Sequence, residues 1–223
     1  EQAFSHCESL DTITIPESVN SIGRDAFSNC RSLKRINIPN AITIISTNTF
    51  LGCTSLTEIT IPTSVRSIRG SAFTGCRSLQ SVNFSSPFDS VQSPVSLDSI
   101  GSFAFSNCVS LKKISIPASV TSIGYGAFGE SDFVEVYSYH PLPQGFTDPI
   151  FSGQTTSYSI LYVPAGSKEI YRTTNGWKNF NNIVEMGSTA LSSSAKPDVD
   201  IMYNKTSETI QLKGAVQSAH FEL

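Results

Sequence analysis

The sequence has little charge and few of the residues that build catalytic or metal sites. Charged residues make up 15% of the 223-residue chain, its formal net charge is −3, and it has one tryptophan and three histidines. This balance argues against nucleic-acid binding, which needs a basic surface. The sequence contains no C-x-x-C pair and no G-x-S-x-G or H-E-x-x-H motif. We therefore predict no enzyme activity, no catalytic residues, no cofactor and no metal.

Long hydrophobic runs are also missing. No apolar run approaches the roughly 18 residues of a membrane-spanning helix, so we expect no membrane insertion within this sequence. The first residues carry no signal-peptide pattern and already lie within the repeat described next. Hydroxyl side chains are abundant instead, with 37 serines and 19 threonines. They indicate a polar but largely uncharged surface.

A repeat of 23 residues dominates the sequence. Three kinds of residue keep the same register, and their spacings are 23, 23 and 23, with a later step of 32. The members are the phenylalanines Phe4, Phe27, Phe50, Phe73, Phe105 and Phe128, the cysteines Cys7, Cys30, Cys53, Cys76 and Cys108, and the leucines Leu10, Leu33, Leu56, Leu79 and Leu111. A fixed period of this length is the signature of a stacked repeat protein.

The second repeat shows what each part of the unit predicts. It runs Leu33-x-x-Ile36-x-Ile38-Pro39, and the Ile-x-Ile alternation is typical of a strand that the proline ends. A Val-x-Ser-Ile-Gly piece in other repeats predicts a second short extended segment, and Ala-Phe-x-x-Cys predicts one helical turn. One repeat cannot bury its own apolar residues, whereas stacked repeats with parallel strands about 4.8 Å apart can.

The full pattern, Leu-x-x-Ile-x-Ile-Pro-x-Ser-Val-x-Ser-Ile-Gly-x-x-Ala-Phe-x-x-Cys, resembles the leucine-rich repeat of BspA-type proteins. These are surface proteins of Bacteroides relatives, treponemes and some mucosal protists. The resemblance covers roughly residues 1–138. It implies a curved solenoid, extracellular or cell-surface exposure and, in some members, adhesion to host matrix proteins or other cells.

These observations predict a leucine-rich-repeat solenoid of short parallel β-strands with helical turns, followed by a C-terminal α+β cap. We assign about six repeats to residues 1–138, the cap to 139–186, and a Ser-rich linker with a short β-rich tail to 187–223. The 23-residue period is expected to end after Tyr137. The cap is similar to the segment that closes many Bacteroides members of the family. The tail weakly resembles the start of a C-terminal sandwich that some Bacteroidetes use for secretion.

The candidate binding surface is the outward side of the repeat strands, which we call the strand face. Within Leu-x-x-Ile-x-Ile, the third and fifth positions point outward because the apolar positions point inward. Tyr137 is the only aromatic residue in this set, which argues against glycan binding. Two interpretations of this set stay open: a solvated sheet face without a ligand, or a surface that binds a ligand through weak additive contacts. Its members are Thr12, Thr14, Arg35, Asn37, Glu58, Thr60, Ser81, Asn83, Lys113, Ser115, Glu135 and Tyr137.

An insertion of nine residues, 85–93, interrupts the register between the fourth and fifth repeats. Insertions in solenoids form loops, often on the binding face, so Phe88 and Asp89 are candidate ligand contacts. The alternative is a surface loop without a function of its own.

The five cysteines share one repeated core position. Equivalent residues of neighbouring repeats lie close enough for disulfides, but the odd number and the shared position favour a column of reduced, packed thiols.

The function that fits best is a cell-surface or secreted, adhesin-like binding module for a protein or glycan ligand. One alternative is a structural spacer or stalk without a ligand. Another is an accessory carbohydrate-binding protein.

Overall fold

The structure is a computed structural model that describes residues 1–84, 96–146, 149–187, 200–204 and 209–213. The chain divides into two units, Glu1–Gly187 and Ser188–Leu223. In chain order the elements are β1 (Thr12–Ile13), β2 (Arg35–Ile36), β3 (Ile44–Ile45), β4 (Glu58–Ile61), β5 (Ser67–Ile68), β6 (Ser81–Phe84), β7 (Ser99–Ile100), β8 (Lys113–Ile116), β9 (Ser122–Ile123), β10 (Glu135–Ser138), α1 (Gly153–Tyr158), β11 (Ile160–Val163), α2 (Lys168–Thr173), β12 (Asn182–Glu185), β13 (Asp200–Asn204) and β14 (Thr209–Lys213).

The Ile-x-Ile segments form parallel strands that stack in sequence order, as their alternation predicts. Three groups carry the ladder: β1 with β2, β4 with β6, and β8, β10, β11 and β12 together. Each strand pairs with its neighbour at the equivalent residue of the next repeat, as when Glu58 lies beside Ser81. The leucine-rich-repeat solenoid with short parallel strands is therefore present.

A tight turn at each proline separates the first strand of a repeat from the second. The N–H of Ile42 donates to the Pro39 carbonyl at 3.0 Å, and Val65 donates to Pro62 in the same way. The second extended segments follow and form their own parallel sheet, in the order β3, β5, β7 and β9. This second sheet agrees with the prediction from the Val-x-Ser-Ile-Gly piece.

The Ala-Phe-x-x-Cys segments form successive tight turns where one helical turn was expected. The N–H of Ser28 donates to the Asp25 carbonyl at 3.1 Å, and Cys30 donates to Phe27 at 3.2 Å. Asp25 and Asn29 have φ of 56° and 60°, which prevents the turns from continuing as a helix. From the second repeat onward the turns still bury the phenylalanine and the cysteine, as predicted, whereas Phe4 and Cys7 of the first repeat are exposed.

Columns of equivalent side chains form the core. The phenylalanine rings stack along the solenoid with centroids 5.2 Å apart for Phe50–Phe73 and 5.1 Å for Phe73–Phe105. Leu33, Leu56 and all three of these rings are completely buried. A ring in such a column packs on the ring of the next repeat, so each repeat depends on its neighbours for burial.

The repeat register continues beyond Tyr137, so the expectation that the period ends there is wrong. Phe151 stacks on Phe128 at 5.0 Å, and β11 and β12 extend the parallel sheet that starts at β8. The segment 139–186 therefore adds further strands to the solenoid. Its own core contains Tyr171, whose hydroxyl donates to the His140 carbonyl at 2.7 Å, and Trp177, which donates to the Gln144 carbonyl at 3.0 Å.

In the second unit, β13 and β14 pair antiparallel, with Ile201 opposite Leu212. This pairing agrees with the short β-rich tail predicted from the sequence.

Candidate binding face

The parallel ladder brings the predicted strand-face residues into two columns. Thr12 lies beside Arg35, Lys113 beside Glu135, and Thr60 beside Asn83. Seven of the twelve are exposed, namely Thr12, Thr14, Arg35, Glu58, Thr60, Asn83 and Lys113. The other five are half-buried, namely Asn37, Ser81, Ser115, Glu135 and Tyr137. The predicted outward direction holds for the whole set, whereas a ligand role for it remains a prediction.

Asn37 has a structural task on this face. Its side-chain oxygen accepts from the N–H of Ile15 at 2.7 Å, and its amide nitrogen donates to the Ile15 carbonyl at 2.8 Å. The side chain thus replaces two backbone hydrogen bonds where the β1–β2 ladder has ended. Its amide is committed to the fold, and we do not assign it to a ligand.

The charges of the strand face pair with each other. Arg35 lies 3.7 Å from Glu58, and Lys113 lies 3.7 Å from Glu135. Such exposed pairs add little stability, because water screens them. They also cancel each other's field, so long-range electrostatic attraction of a charged partner is not built into this face.

The N-terminal end of the strand face is a shallow, hydroxyl-rich depression of about 420 Å³. Its lining consists of Thr12, Ile13, Thr14, Arg35, Ile36, Asn37, Glu58 and Thr60. Short side chains and open walls give weak contacts with a ligand, because a ligand there stays largely in water.

Aromatic side chains distinguish the C-terminal end of the strand face. Tyr162 of β11 stacks on Tyr137 of β10, with ring centroids 4.5 Å apart and planes 14° from parallel. Lys113 places Nζ 4.3 Å from the centre of the Tyr137 ring, and the Tyr137 hydroxyl donates to Glu135 at 3.2 Å. We call Lys113, Glu135, Tyr137 and Tyr162 the tyrosine patch.

Burial, with a smaller contribution from the charge of Glu135, raises the pKa of Tyr137 to about 12. The hydroxyl therefore stays protonated at neutral pH and keeps its role as a donor. The stacked rings and this hydrogen bond hold both tyrosines in place before any ligand arrives.

Tyr162 was missed from the sequence because the period was expected to end before it. The signal was present nonetheless. Leu161-Tyr162-Val163-Pro164 repeats the Ile-x-Ile-Pro pattern, and it places Tyr162 at the same outward position as Tyr137. The strand face therefore carries a pair of aromatic residues, Tyr137 and Tyr162, and the expectation that Tyr137 is its only aromatic residue is wrong.

The cysteine column is reduced and mostly packed, as favoured above. All five cysteines are free, four of them are buried, and Cys7 is exposed. Each buried thiol donates to the phenylalanine carbonyl of the preceding repeat, for example Cys53 to Phe27 at 3.1 Å and Cys76 to Phe50 at 3.2 Å. In the sixth repeat Ser131 stands at this position and donates to Phe105 at 2.9 Å. The thiols thus serve the stacking of repeats.

The candidate loop residues Phe88 and Asp89 lie outside the described residues. Within the described ranges, no set of three or more His, Cys, Asp or Glu side chains converges as a metal site. In the same part of the chain, no helix has the length and apolar character needed to span a membrane.

The geometry of repeats, turns and columns agrees with the comparisons to known proteins. The BspA-type leucine-rich repeat region matches residues 1–95 and 85–170, with six copies. The chain belongs to the BspA-type leucine-rich repeat family. This BspA-type chain has no match among curated protein sequences.

Three solved structures of bacterial leucine-rich repeat proteins match this chain, and the first named below shares its fold. The Treponema pallidum leucine-rich repeat protein is 28% identical with a TM-score of 0.56, and the match covers 72% of this chain and 81% of that one. A leucine-rich cell surface protein of Faecalibacterium prausnitzii is 27% identical with a TM-score of 0.43, and a Bacteroides ovatus leucine-rich repeat protein is 22% identical with a TM-score of 0.42. Those matches cover 85% and 83% of this chain and 63% of each of the other two.

Proposed function

We propose that this BspA-type repeat protein is a non-catalytic binding module outside the cell, and that it binds a protein partner through the strand face. Family membership supports a surface repeat module. The observation that carries the proposal is the tyrosine patch. Its two stacked rings are the only aromatic side chains at the third and fifth positions of the described repeat strands, and tyrosine is one of the residues enriched at binding hot spots.

The patch has a low entropic cost of binding. Tyrosine brings a large amphipathic surface with few rotatable bonds, and here the stacking and the Glu135 hydrogen bond already restrict Tyr137. A partner that contacts these rings therefore orders little new structure. The hydroxyls and threonines further along the strand face then add weaker hydrogen bonds.

The geometry favours a protein over a glycan at this site. One face of the Tyr137 ring is covered by Tyr162 and the ring also carries the Lys113 ammonium, so little open ring face is left for a sugar. Ring edges, hydroxyls and a lysine–glutamate pair remain, and they suit peptide carbonyls, peptide N–H groups and polar side chains.

The test is binding of the purified chain to immobilised collagen, laminin and fibronectin by surface plasmon resonance. Tyr137→Ser copies the serine found at the same position of β8, and Tyr162→Ser removes the second ring. Tyr158→Ser is the matched control, because Tyr158 is 55% exposed at the end of α1, before β11 begins, and is not part of the tyrosine patch.

We expect each patch variant to bind at least tenfold more weakly than wild type and the control to bind like wild type, since hot-spot tyrosines cost more than about 1.4 kcal/mol. Equal binding by all four chains would reject the patch. A wild type that binds none of the three proteins would favour the structural spacer.

A further inference from the structure

One residue occupies a backbone conformation that its type avoids. In the six repeats of residues 1–138, the position two residues before the stacked phenylalanine has a positive φ. Phe103 holds this position in the fifth repeat, with φ of 58°. Bulky side chains rarely adopt the left-handed region, because Cβ comes close to the following carbonyl oxygen. The other repeats place small or polar residues there, namely Gln2, Asp25, Asn48, Ser71 and Gly126.

The strained residue presents its ring to solvent. Phe103 is 41% exposed and Tyr125 is 50% exposed, and their rings meet edge to face with centroids 5.2 Å apart and planes at 83°. Gly126 makes room for this arrangement, since a Cβ there would lie 2.8 Å from Cε1 of Phe103. We call Phe103 and Tyr125 the aromatic corner. Backbone strain held at an exposed aromatic pair points to function, because burial gives no reason for it.

The two segments that carry the aromatic corner are uncharged and contain hydroxyls, and the neighbouring repeat places the exposed Arg69 beside them, next to Gly101. Residues 99–104 and 121–127, which contain the two rings, include no charged residue. Ser102 and Ser122 are exposed within these segments. The corner lies in the turns after β7 and β9, so it belongs to a different side of the repeat from the strand face.

We propose that the aromatic corner is a carbohydrate-binding site for a neutral hexopyranose unit of a glycan. One face of such a sugar carries several C–H bonds, whose positive ends match the negative face of an aromatic ring. In the edge-to-face arrangement the edge of one ring covers one face of the other ring only, whereas the stacked tyrosines of the strand face each cover one face of their partner. The exposed Ser102 and Ser122 supply hydroxyls that can hydrogen-bond to sugar hydroxyls.

The size of the corner fits a sugar better than a protein. Two half-exposed aromatic side chains offer roughly 200 Å² of surface. A stable protein interface needs about 800 Å² on each partner, including an interface with a second copy of this chain. A single sugar ring covers an area of the smaller size. Binding by one corner will be weak, and repeated sugars on a surface would strengthen it through multivalency.

The proposal predicts that one substitution at Phe103 raises the stability of the protein and weakens its binding of the sugar. Phe103→Asn places in the fifth repeat the residue found at Asn48, which tolerates a positive φ. We expect this variant to unfold at a higher temperature than wild type and to lose sugar binding. If Phe103 were there for packing, the same substitution would lower the unfolding temperature, and the proposal would be wrong.

The binding test uses the full chain with maltohexaose, cellohexaose and β-1,4-galactotetraose, measured by saturation-transfer NMR and isothermal titration calorimetry. We expect wild type to bind at least one of them, with saturation transferred from the aromatic protons. Phe103→Asn and Tyr125→Ser should weaken that binding at least tenfold, while Tyr158→Ser leaves it unchanged.

Three results would overturn the proposal: no binding of any of the three sugars by wild type, binding that survives Phe103→Asn, or concentration-dependent dimerisation that Phe103→Asn abolishes. The last would make the corner an interface between copies. Loss of binding in Tyr137→Ser concerns the strand face only, so the two sites are tested independently.

Discussion

Raising the pH above about 9 should destabilise the solenoid through its cysteine column. Burial raises the pKa of the Cys53 and Cys108 thiols from 9.0 to about 12, and it raises that of Cys76 well above 9.0. In the unfolded chain the thiols ionise near their ordinary pKa, whereas in the folded chain they stay protonated. The stabilisation is therefore fully present below pH 9 and is lost as the pH rises from about 9 toward 12.

The size of the effect follows from the two pKa values. At about pH 10.5 the unfolded state has released nearly all protons from Cys53 and Cys108, and the folded state has released few. Each thiol therefore lowers the free energy of unfolding at pH 10.5 by about 2 kcal/mol relative to pH 8. The two thiols together lower it by about 4 kcal/mol.

The matched variant is the double substitution of Cys53 and Cys108 by serine. Serine already fills this position in the sixth repeat, where Ser131 donates to the Phe105 carbonyl at 2.9 Å. The variant should therefore keep the stacking hydrogen bonds but lack the titrating thiols. Urea unfolding followed by circular dichroism at pH 8 and pH 10.5 gives the two free-energy differences. Equal loss of stability in wild type and variant would refute the reasoning.

Two further predictions concern the core and the thiols. Leu56 is completely buried in the middle of the array, so Leu56→Ala should cost roughly 2–5 kcal/mol by cavity formation, while exposed Thr60→Ala should cost under about 0.5 kcal/mol. Denaturant unfolding measures both, and similar values would show that the strand register is wrong. In a thiol-labelling assay, Cys7 should react rapidly in the native protein and all five cysteines after denaturation, because Cys7 is the exposed one and none is bonded to another. A denatured chain with one or three reactive thiols would establish disulfides.

The periodic features of this fold could be predicted from the sequence, because each depends on one contact that every repeat makes. Strand positions follow from the Ile-x-Ile alternation, and the buried columns follow from the shared register of phenylalanine, leucine and cysteine. Parallel stacking then places equivalent residues side by side, and this arrangement predicts the strand face from the sequence alone. Ser131 shows where prediction from residue type fails. The sixth repeat has no cysteine at this position, yet the serine hydroxyl makes the same hydrogen bond to the phenylalanine carbonyl of the preceding repeat.

The features that depend on local geometry could not be predicted from the sequence pattern. The amide of Asn37 looks like any exposed polar group in the pattern, and only its two bonds to Ile15 show that it completes the ladder. The left-handed position of each repeat holds several residue types, so the sequence does not show that Phe103 is strained there. Tyr162 was not predicted for another reason. The spacing from Tyr137 to Tyr162 is longer than the repeat period, so the pattern did not indicate the strand that pairs in register with β10.

Hydroxyl-radical footprinting of the chain, alone and with whichever of collagen, laminin and fibronectin it binds, tests the proposed strand-face function most directly. We expect Tyr137 and Tyr162 to become protected from oxidation on binding, while Tyr158, which is 55% exposed, keeps its reactivity. Unchanged reactivity of Tyr137 and Tyr162 in a complex that protects other residues would contradict the claim that the strand face binds the partner.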